Sequence, residues 1–481
     1  MTSEPLKDAV TRTGGRPATE GVIQGRYSLS VGMPQSEPPS GWRWCALSKL
    51  ARLETGHTPS RKHPEYWGGS VPWIGIRDAT AHHGETIHST QQYTNDLGIA
   101  NSSARVLPAN TVCLSRTASV GYVVVMGVPM ATSQDFVNWV CSDAIDPRFL
   151  KYILLAEHDS MLRFASGTTH QTIYFPEAKA FHVCIPDVAE QRRIADVLQV
   201  LDDRISVLRE ANATLEAVAQ ALFKSWFVDF DPVRAKSEGQ EPEGLDAETA
   251  GLFPNQLEES SLGLIPTGWS VRCVDDIATK VGMGPFGSNI KVSTFCNQGI
   301  PVISGQHLRH TLMEDLSFNF ITEAHAEKLK NSCVFSGDVV FTHAGNIGQV
   351  SLIHNDARYS RYILSQRQFF LRCDEKQMVP AWITYFFRSA HGQHLLLANA
   401  SQVGVPSIAR PVSYLRSIQL VVPPIQLLLR FAEMVDPLHK QVLANRTRIE
   451  SLSLLRDSLL PRLISGKLRL PEAELQLQDA A

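Results

Sequence analysis

Residues 194–226 read IADVLQVLDDRISVLREANATLEAVAQALFKSW. Apolar positions in this stretch advance by alternating steps of four and three, the spacing of a single buried stripe along a helix that pairs with another helix. The members of this first seam are Ile194, Leu198, Leu201, Ile205, Leu208, Asn212, Leu215, Ala219, Leu222 and Trp226. We therefore predict a long helix that ends near Asp231-Pro232, because proline and the residue before it interrupt helices.

A second run near the C-terminus has the same spacing. Its members, the second seam, are Phe431, Val435, Leu438, Val442, Asn445, Ile449, Leu452, Arg456, Leu459 and Leu463. Pro437 and Pro461 are expected to kink or shorten this helix. We favour antiparallel pairing of the two helices as a coiled coil, with Asn212 and Asn445 fixing the register. Alternatively, each helix packs on its own globule as an amphipathic stripe and either asparagine faces solvent.

The rest of the chain contains a long-period repeat. The matched segments are Gly41-Trp42 with Gly268-Trp269, residues 114–121 (LSRTASVG) with 341–348 (FTHAGNIG), and Ser133-Gln134 with Ser365-Gln366. A period of this length indicates duplicated domains and not a solenoid. Short strand-like runs bounded by turn residues occur in both halves. They lie at residues 71–76, 111–114, 121–125 and 136–140 in the first half, and at 300–303, 339–341, 349–353 and 368–371 in the second.

These patterns predict an α+β protein with a pseudo-two-fold internal repeat, in which two mixed, strand-rich domains are joined by two long helices. The expected segments are a mobile N-terminal stretch (1–39), a first globular domain (40–185), a first long helix (186–232), a linker (233–262), a second globular domain (263–422), a second long helix (423–468) and a C-terminal tail (469–481). The length of 481 residues also exceeds what a single core usually supports.

Composition limits the possible functions. The formal net charge is −3 and the pI about 6.6, so the chain lacks the overall basic character of a simple DNA-binding domain. Any phosphate contacts would have to come from local basic surfaces or from partner subunits. The eight cysteines are scattered without metal-ligand spacing, which argues against zinc and against a disulfide framework. With no signal peptide and no apolar run of membrane-spanning length, we expect a soluble, cytoplasmic protein.

Four strings carry a family resemblance. Residues 185–195 (IPDVAEQRRIA) and 221–232 (ALFKSWFVDFDP) resemble the start and the end of the central helix in specificity subunits of type I restriction-modification systems. Residues 422–424 (VPP) and 459–468 (LLPRLISGKL) resemble the corresponding positions of the second helix. With the globular domains, the resemblance covers nearly everything from residue 40 to residue 470.

The resemblance implies a function as well as a fold. Each globular domain would be a target-recognition domain that reads one half of a bipartite DNA site with a non-specific spacer. The antiparallel helix pair would dock two methyltransferase subunits, and restriction (helicase-nuclease) subunits would join them to cut unmodified DNA. The methyl group would go to adenine, with S-adenosylmethionine, ATP and magnesium held only by the partner subunits. The chain departs from its own repeat where Leu428 stands in place of Gln191, which puts a capping role for that glutamine in doubt.

The sequence offers no catalytic motif. The two Pro-Pro pairs follow Glu37 and Val422 and not the Asn or Asp that an adenine methyltransferase requires. The glycine-rich stretch 282–287 contains a proline and reads better as a turn. Gly466-Lys467 is followed by Leu468, so the phosphate-binding loop motif is incomplete, and no His-Glu-x-x-His pattern occurs. We expect a non-catalytic DNA-reading subunit without a metal; the alternatives are a coiled-coil adaptor that binds proteins and a self-sufficient DNA methyltransferase.

The DNA-reading side chains should be Arg, Lys, His and Gln residues on loops held by the two domains. In the first domain we select Arg61, Lys62, Arg77, Arg116 and Gln134. Their counterparts by kind in the second domain are Lys291, Arg309, His343, Gln366 and Arg367. Taken singly, each of them also suits a solvated surface position or a phosphate contact. Gly121 and Gly348, which the repeat pairs, are expected to serve a turn or a strand bend.

Overall fold

The computed structural model describes residues 21–117, 119–167, 171–315, 317–401 and 404–473. The chain forms two compact units. The first comprises Met1–Val207 with Ile449–Ala481, and the second comprises Leu208–Arg448. The boundary between the units therefore falls within each of the two long helices.

The first unit contains twelve strands among its described residues. They are β1 (Ile23–Gln24), β2 (Leu29–Val31), β3 (Arg43–Ala46), β4 (Ala51–Thr55), β5 (Trp67–Ile74), β6 (Thr86–Ile87), β7 (Gln92–Thr94), β8 (Val112–Ser115), β9 (Val123–Met126), β10 (Ala131–Thr132), β11 (Phe136–Cys141) and β12 (Phe181–Ile185). Its short helices are α1 (Ile76–Ala81), α2 (Asp96–Ala100), α3 (Pro147–Ala156), α4 (His158–Phe164) and α5 (Phe175–Lys179). The first long helix, α6 (Val188–Lys224), begins in this unit.

The second unit also consists of short helices, short strands and one long helix. Its helices are α7 (Asp231–Ser237), α8 (Ala247–Gly251), α9 (Glu323–Lys328), α10 (Pro380–Arg388), α11 (Ala390–Leu397) and α12 (Pro411–Ser417). Its strands are β13 (Leu257–Ser260), β14 (Gly263–Pro266), β15 (Ser270–Cys273), β16 (Ala278–Met283), β17 (Ile300–Ile303), β18 (Asn319–Ile321), β19 (Cys333–Val334), β20 (Val339–Thr342), β21 (Val350–Leu352), β22 (Tyr362–Leu364), β23 (Gln368–Cys373), β24 (Ala400–Ser401), β25 (Ser407–Ile408) and β26 (Gln419–Val422). The second long helix is α13 (Ile425–Ile464).

The sheets of the two units have matching strand orders. The central sheet runs β4-β11-β8-β9-β6 in the first unit and β16-β23-β20-β21 in the second, and the first four strands correspond in order and antiparallel pairing. A second sheet contains β10-β5-β7 in one unit and β22-β17-β18 in the other, with one parallel and one antiparallel pair in each. In both units the strand before the long helix pairs antiparallel with an early strand, β12 with β3 and β26 with β15.

The inner strands β8, β9 and β20 of the central sheets are buried on both faces because they are almost wholly apolar. In β8, Val112 and Leu114 face a core that also holds α3, whereas Cys113 faces a separate cluster with Val124. Successive strand residues point to opposite faces, so this alternation gives each sheet two apolar layers. The second unit follows the same rule, with Phe341 in the large core and Val340 in a second cluster.

The first long helix ends next to Asp231-Pro232, as predicted, whereas the second continues past Pro461. Helix α6 continues as a π-helical turn at Ser225–Asp229 and ends at Phe230, which has a left-handed φ of 57°. Asp231 and Pro232 then open α7, consistent with the preference of proline for a first helical turn. The expectation that Pro461 shortens α13 was wrong, because the helix runs through Pro437 and Pro461 to Ile464. Pro437 is exposed, so water can reach the carbonyl group that its missing N–H leaves free.

Gln191 anchors the start of α6. Its buried side chain accepts a hydrogen bond of 3.0 Å from the backbone N–H of Asp146 and donates one of 3.1 Å to the carbonyl oxygen of Pro186. Asp187 caps the helix by accepting the N–H of Glu190 at 2.8 Å. Leu428, the corresponding residue of α13, is fully buried in the apolar core of its unit. The glutamine therefore has a polar anchoring role in one copy that the other replaces by apolar packing.

Three of the expected segment boundaries need correction. Residues from 21 onward belong to the first unit and not to a mobile segment, because β2 is buried and pairs with β12. The expected linker 233–262 is folded, with Val233 and Phe253 in the core of the second unit. The expected tail is partly packed, since Leu470 and Ala473 are buried in the first unit. Residues 1–20 and 474–481 lie outside the described part of the chain.

The buried carboxylate of Glu157 explains why the segment before β2 is ordered. Its two oxygens accept the backbone N–H groups of Arg26, Tyr27 and Ser28 at 2.5 to 2.9 Å. A carboxylate that satisfies several amide donors fixes the path of the loop that carries them.

Among the described residues, no helix has the length and apolarity needed to cross a membrane.

Candidate nucleic-acid interface

Arg116 lies in the turn that follows β8. Its N–H donates to the carbonyl oxygen of Asp135 at 2.7 Å, and its Nε donates to the carbonyl oxygen of Gln134 at 3.1 Å. Its own carbonyl oxygen accepts the N–H of Ile173 at 2.8 Å. Burial lowers the pKa of the Arg116 guanidinium, an effect that the negative charge of Asp135 partly offsets, but an arginine remains charged at neutral pH. The turn therefore holds a cation whose orientation is set by neighbouring backbone.

Gln134 joins this turn to the loop after β4. Its side-chain oxygen accepts a hydrogen bond from the Thr58 hydroxyl. The loop approaches closely because Gly56 has no side chain, and a Cβ there would lie 1.9 Å from the carbonyl oxygen of Ser133. We call Thr58, Arg61, Arg116 and Gln134 the first polar cluster.

Arg61 is exposed at the far end of this loop and rests on aromatic rings. Its guanidinium carbon lies 3.8 Å from the centroid of the Trp67 ring and 5.1 Å from that of Trp73. Its Nη2 donates to the side-chain oxygen of Gln92 at 2.7 Å. Lys62, the next residue, is also exposed. The loop thus places two cations side by side, one of them with a fixed plane.

The second unit builds the same arrangement with different side chains. The N–H of His343 donates to the carbonyl oxygen of Arg367 at 2.9 Å, and its Nε2 lies 3.1 Å from the carbonyl oxygen of Gln366. The carbonyl oxygen of His343 accepts the N–H of Ile408 at 2.8 Å, as that of Arg116 does from Ile173. Because a carbonyl oxygen can only accept, Nε2 carries the proton. Burial lowers the pKa of His343, so the ring is neutral at pH 7 and its Nδ1 can accept a hydrogen bond.

Gln366 repeats the bridging role of Gln134. Its amide nitrogen donates to the carbonyl oxygen of Gly287 and, at 3.3 Å, to that of Ile290, which brings exposed Lys291 to the same place. Gly284 corresponds to Gly56 and allows the same close approach, because a Cβ on it would lie 1.8 Å from the carbonyl oxygen of Ser365. We call Lys291, His343, Gln366 and Arg367 the second polar cluster.

Two selected residues lie apart from these clusters. Arg77 is exposed in the first turn of α1, and Arg309 is exposed beside His310, whose ring lies 3.7 Å from the Glu216 carboxylate of α6. Within the described ranges, no hydrogen bond or ion pair links either arginine to its cluster. Hydrogen bonds thus join Gln134 to Arg116 and to the loop that carries Arg61 and Lys62 in one unit. In the other unit they join Gln366 to His343 and to the segment that precedes Lys291, and His343 to Arg367.

The sequence analysis did not name four residues of the first unit that contact the candidate DNA-reading side chains. Thr58, Trp67, Trp73 and Gln92 orient the selected side chains. Two tryptophans close to an arginine in sequence are a signal that could have been read as a stacking site. Gln92 gives no such signal, because only the pairing of β5 with β7 places it opposite Trp73.

The seam residues pack within each unit. In the first unit, Ile194, Leu198 and Leu201 share a core with Leu459 and Leu463. In the second, Phe223 lies 5.8 Å from Phe431 between ring centroids, and Asn445 donates to Asn212 at 2.8 Å, so the contacts of α6 and α13 there run antiparallel. Ile205, Leu208, Val435, Val442 and Asn445 are also buried, whereas Asn212, Leu215, Leu222, Leu438, Ile449 and Leu452 are partly buried.

Polar contacts also fix α6 to the first globule. The carboxylate of Asp202 accepts the Tyr152 hydroxyl at 2.7 Å and lies 3.4 Å from Nζ of Lys151, which is only 2% exposed. Its other oxygen accepts Nη1 of Arg456, from α13, at 3.0 Å. One carboxylate thus ties both helices to α3.

The described residues contain no group of three or more His, Cys, Asp or Glu side chains arranged to hold a metal ion.

Comparison with known proteins gives a consistent result. Residues 39–217 match the family model described as the type I restriction modification DNA specificity domain. The chain is 26% identical over 446 residues to the type I restriction enzyme MjaIX specificity subunit of Methanocaldococcus jannaschii, covering 90% of this chain and 95% of that protein. It is 26% identical over 371 residues to the HindI specificity subunit of Haemophilus influenzae, covering 67% and 77% of the two chains.

A solved structure shows the same fold. The type I restriction-modification S subunit from M. genitalium superposes with a TM-score of 0.50 at 15% identity, covering 88% of this chain and 96% of that one. The resemblance drawn from the helix-flanking strings is therefore confirmed. The chain is thus similar along most of its length to proteins named as type I restriction enzyme specificity subunits, and residues 39–217 match the corresponding DNA specificity domain.

Proposed function

We propose that this chain reads a bipartite DNA target with a non-specific spacer, one half-site per unit. The observation that carries the proposal is the repeated arrangement of the two polar clusters. Arg116 and His343 occupy equivalent turns and make equivalent backbone hydrogen bonds, and Gln134 and Gln366 brace equivalent loops. The two units thus hold different side chains in equivalent turns and loops. This is the arrangement expected of two domains that read different base sequences.

The side chains on these frames have the chemistry of base-edge recognition. Arginine donates to guanine, glutamine pairs with adenine, and a neutral histidine can accept from an exocyclic amino group. The neighbouring Lys62, Lys291 and Arg367 suit contacts with phosphates, which position a protein on DNA without reading sequence. Because the net charge of the chain is −3, partner subunits would supply much of the remaining attraction for DNA.

In this proposal α6 and α13 form an antiparallel coiled coil along their seams, and this pair docks two methyltransferase subunits. Restriction subunits complete the assembly, which methylates adenine or cuts unmodified DNA. S-adenosylmethionine, ATP and magnesium would be bound by those partners. The buried seam residues and the Asn212–Asn445 hydrogen bond support the pairing, and the similarity to specificity subunits supports the partners.

An exchange of one unit tests the proposal. Residues 21–185 would be replaced by the equivalent segment of a relative with a known target, starting at 21 because β2 is part of the sheet that precedes α6. The hybrid would be co-expressed with the cognate methyltransferase, and methylated positions would be mapped by sequencing. We expect one half of the target to change and the other to persist. The control is the reciprocal exchange of residues 256–422; a change in both halves after either exchange would contradict independent reading.

A further inference from the structure

Arg61 is held far more rigidly than a phosphate contact requires. Its guanidinium stacks on Trp67 with 3.8 Å between the guanidinium carbon and the ring centroid, and Gln92 accepts one of its donors at 2.7 Å. The stacking fixes the plane of the group, and the hydrogen bond fixes its rotation within that plane. The side chain nonetheless remains exposed, so its other N–H donors can face a ligand.

The aromatic support is itself anchored. Trp67 and Trp73 meet edge to face with centroids 5.1 Å apart. The indole N–H of Trp73 donates to the carbonyl oxygen of His57 at 3.2 Å, and that of Trp67 donates to Ser60 at 3.5 Å. Both rings therefore hold the loop that carries Arg61. Such preorganisation reduces the entropy lost when the guanidinium binds.

A fixed guanidinium plane matters for one kind of contact above others. The major-groove edge of guanine presents two acceptors, O6 and N7, which a correctly oriented arginine binds with two parallel hydrogen bonds. A phosphate can be met by a flexible lysine such as Lys62. We propose that Arg61 is a specificity-determining residue that selects a guanine in the half-site read by the first unit. This inference rests on the proposed function.

In the described part of the second unit, the position that corresponds to Arg61 does not hold an arginine. Counting from Gly56 and its counterpart Gly284, Arg61 corresponds to Asn289. The Asn289 amide is already committed to the carbonyl oxygen of Phe286 at 2.7 Å. The guanine selected in this way therefore belongs to one half of the target only.

The experiment compares Arg61→Ala, Arg61→Lys and the matched control Lys62→Ala in the full chain with its methyltransferase. Methylated positions are mapped by sequencing, and binding is measured on duplexes in which each guanine of the first half-site is replaced in turn by 7-deazaguanine, which lacks N7. We expect the wild-type complex to lose roughly 2- to 10-fold in affinity at a single substituted guanine, because one of the two hydrogen bonds is removed. Arg61→Ala should accept any base there and be insensitive to the substitution, and Arg61→Lys should keep only part of the guanine preference because lysine lacks the planar fork of donors.

Lys62→Ala should weaken binding to all sequences alike and reduce the salt dependence of binding, with an unchanged target. The inference is overturned if the half-site of the first unit contains no G·C pair, if Arg61→Ala behaves like Lys62→Ala, or if Arg61→Lys keeps the full guanine preference of the wild-type chain. Failure of the proposed function is a different result, namely a wild-type complex that methylates no bipartite sequence or a unit exchange that alters both halves.

Discussion

The side-chain amide of Asn445 donates a hydrogen bond of 2.8 Å to the side-chain oxygen of Asn212, joining α13 to α6 inside the second unit. Gln441, one turn earlier, donates to the side-chain oxygen of Asn445 at 2.8 Å. Asn445 is only 3% exposed, and Val442 and Leu215 continue the seam on either side as apolar residues. A polar pair in such a seam is satisfied in only one register of the two helices.

Replacing Asn445 by alanine should destabilise the second unit by about 1 to 3 kcal/mol, because Asn212 is left without this partner and a small cavity forms. The double variant Asn212→Leu/Asn445→Leu should recover most of that loss, since it removes both polar groups together. Urea denaturation measures the free energy of unfolding. Thr447→Ala, at an exposed position of the same helix, is the control and should change it by less than about 0.5 kcal/mol. An equal loss in the single and double variants would show that the pair is not coupled.

Replacing Asp202 by alanine should cost the first unit about 3 to 5 kcal/mol. The substitution removes the partner of buried Lys151 and the acceptor of the Tyr152 hydroxyl, which leaves a buried charge uncompensated. The neighbouring Asp203 is exposed and accepts a hydrogen bond from Gln199 at 2.7 Å, so Asp203→Ala is a matched control with little expected effect. Thermal unfolding of both variants tests this, and similar melting temperatures would contradict the anchoring role of Asp202.

Acid should destabilise the second unit through His439. Burial, and secondarily the nearby positive charge of His354, lower the pKa of His439 to about 4, and its Nε2 lies 2.8 Å from the Tyr385 hydroxyl. The unfolded chain takes up this proton near pH 6.5 while the folded chain does not, so the stabilisation is complete above pH 6.5 and is lost as the pH falls toward 4. The loss at pH 5 should be about 2 kcal/mol.

The variant His439→Gln tests this assignment, because glutamine keeps an acceptor for Tyr385 and does not titrate. Its free energy of unfolding, measured between pH 7.5 and pH 5, should change less than that of the wild-type chain. Parallel pH profiles for the two proteins would assign the acid sensitivity to other groups.

Shortening both helices should shorten the DNA spacer. Deleting residues 204–210 together with 447–453 removes one heptad from each helix and keeps Asp202, Asn212 and Asn445. Each helix loses about 10 Å, the length of about three base pairs. We expect the folded variant to keep both half-site sequences and to prefer a spacer shorter by about one to three base pairs, with DNA bending absorbing the rest.

Methylation of a library of spacer lengths measures this preference. Deletion of the heptad from α6 alone is the control, since it breaks the match between the helices and should lower stability. An unchanged spacer preference in a folded, active double deletion would mean that the helices do not set the distance.

The sequence identified the long helices because their periodicity is local, and the apolar strands because side chains alternate between faces over a few residues. Predicted strands such as residues 300–303 and 339–341 agree with β17 and β20 to within a residue. The internal repeat also pairs Arg116 with His343 and Gln134 with Gln366, because similar strings surround these positions in both halves. Segment boundaries were less accurate, because whether a polar stretch such as 21–39 folds depends on a distant partner, here Glu157 and β12.

What the sequence determined by itself is the two long helices, several of the apolar strands, the similarity between the two halves and the resemblance to specificity subunits, all of which rest on spacing along the chain and on short contiguous strings. Only the tertiary structure decided which polar side chains act together. It placed Arg61 on Trp67 and Gln92, left Arg77 and Arg309 outside the clusters, and joined Asn445 to Asn212. The physical reason is that such contacts depend on strand register and helix packing, which bring residues far apart in sequence within hydrogen-bonding distance and leave no local pattern to read.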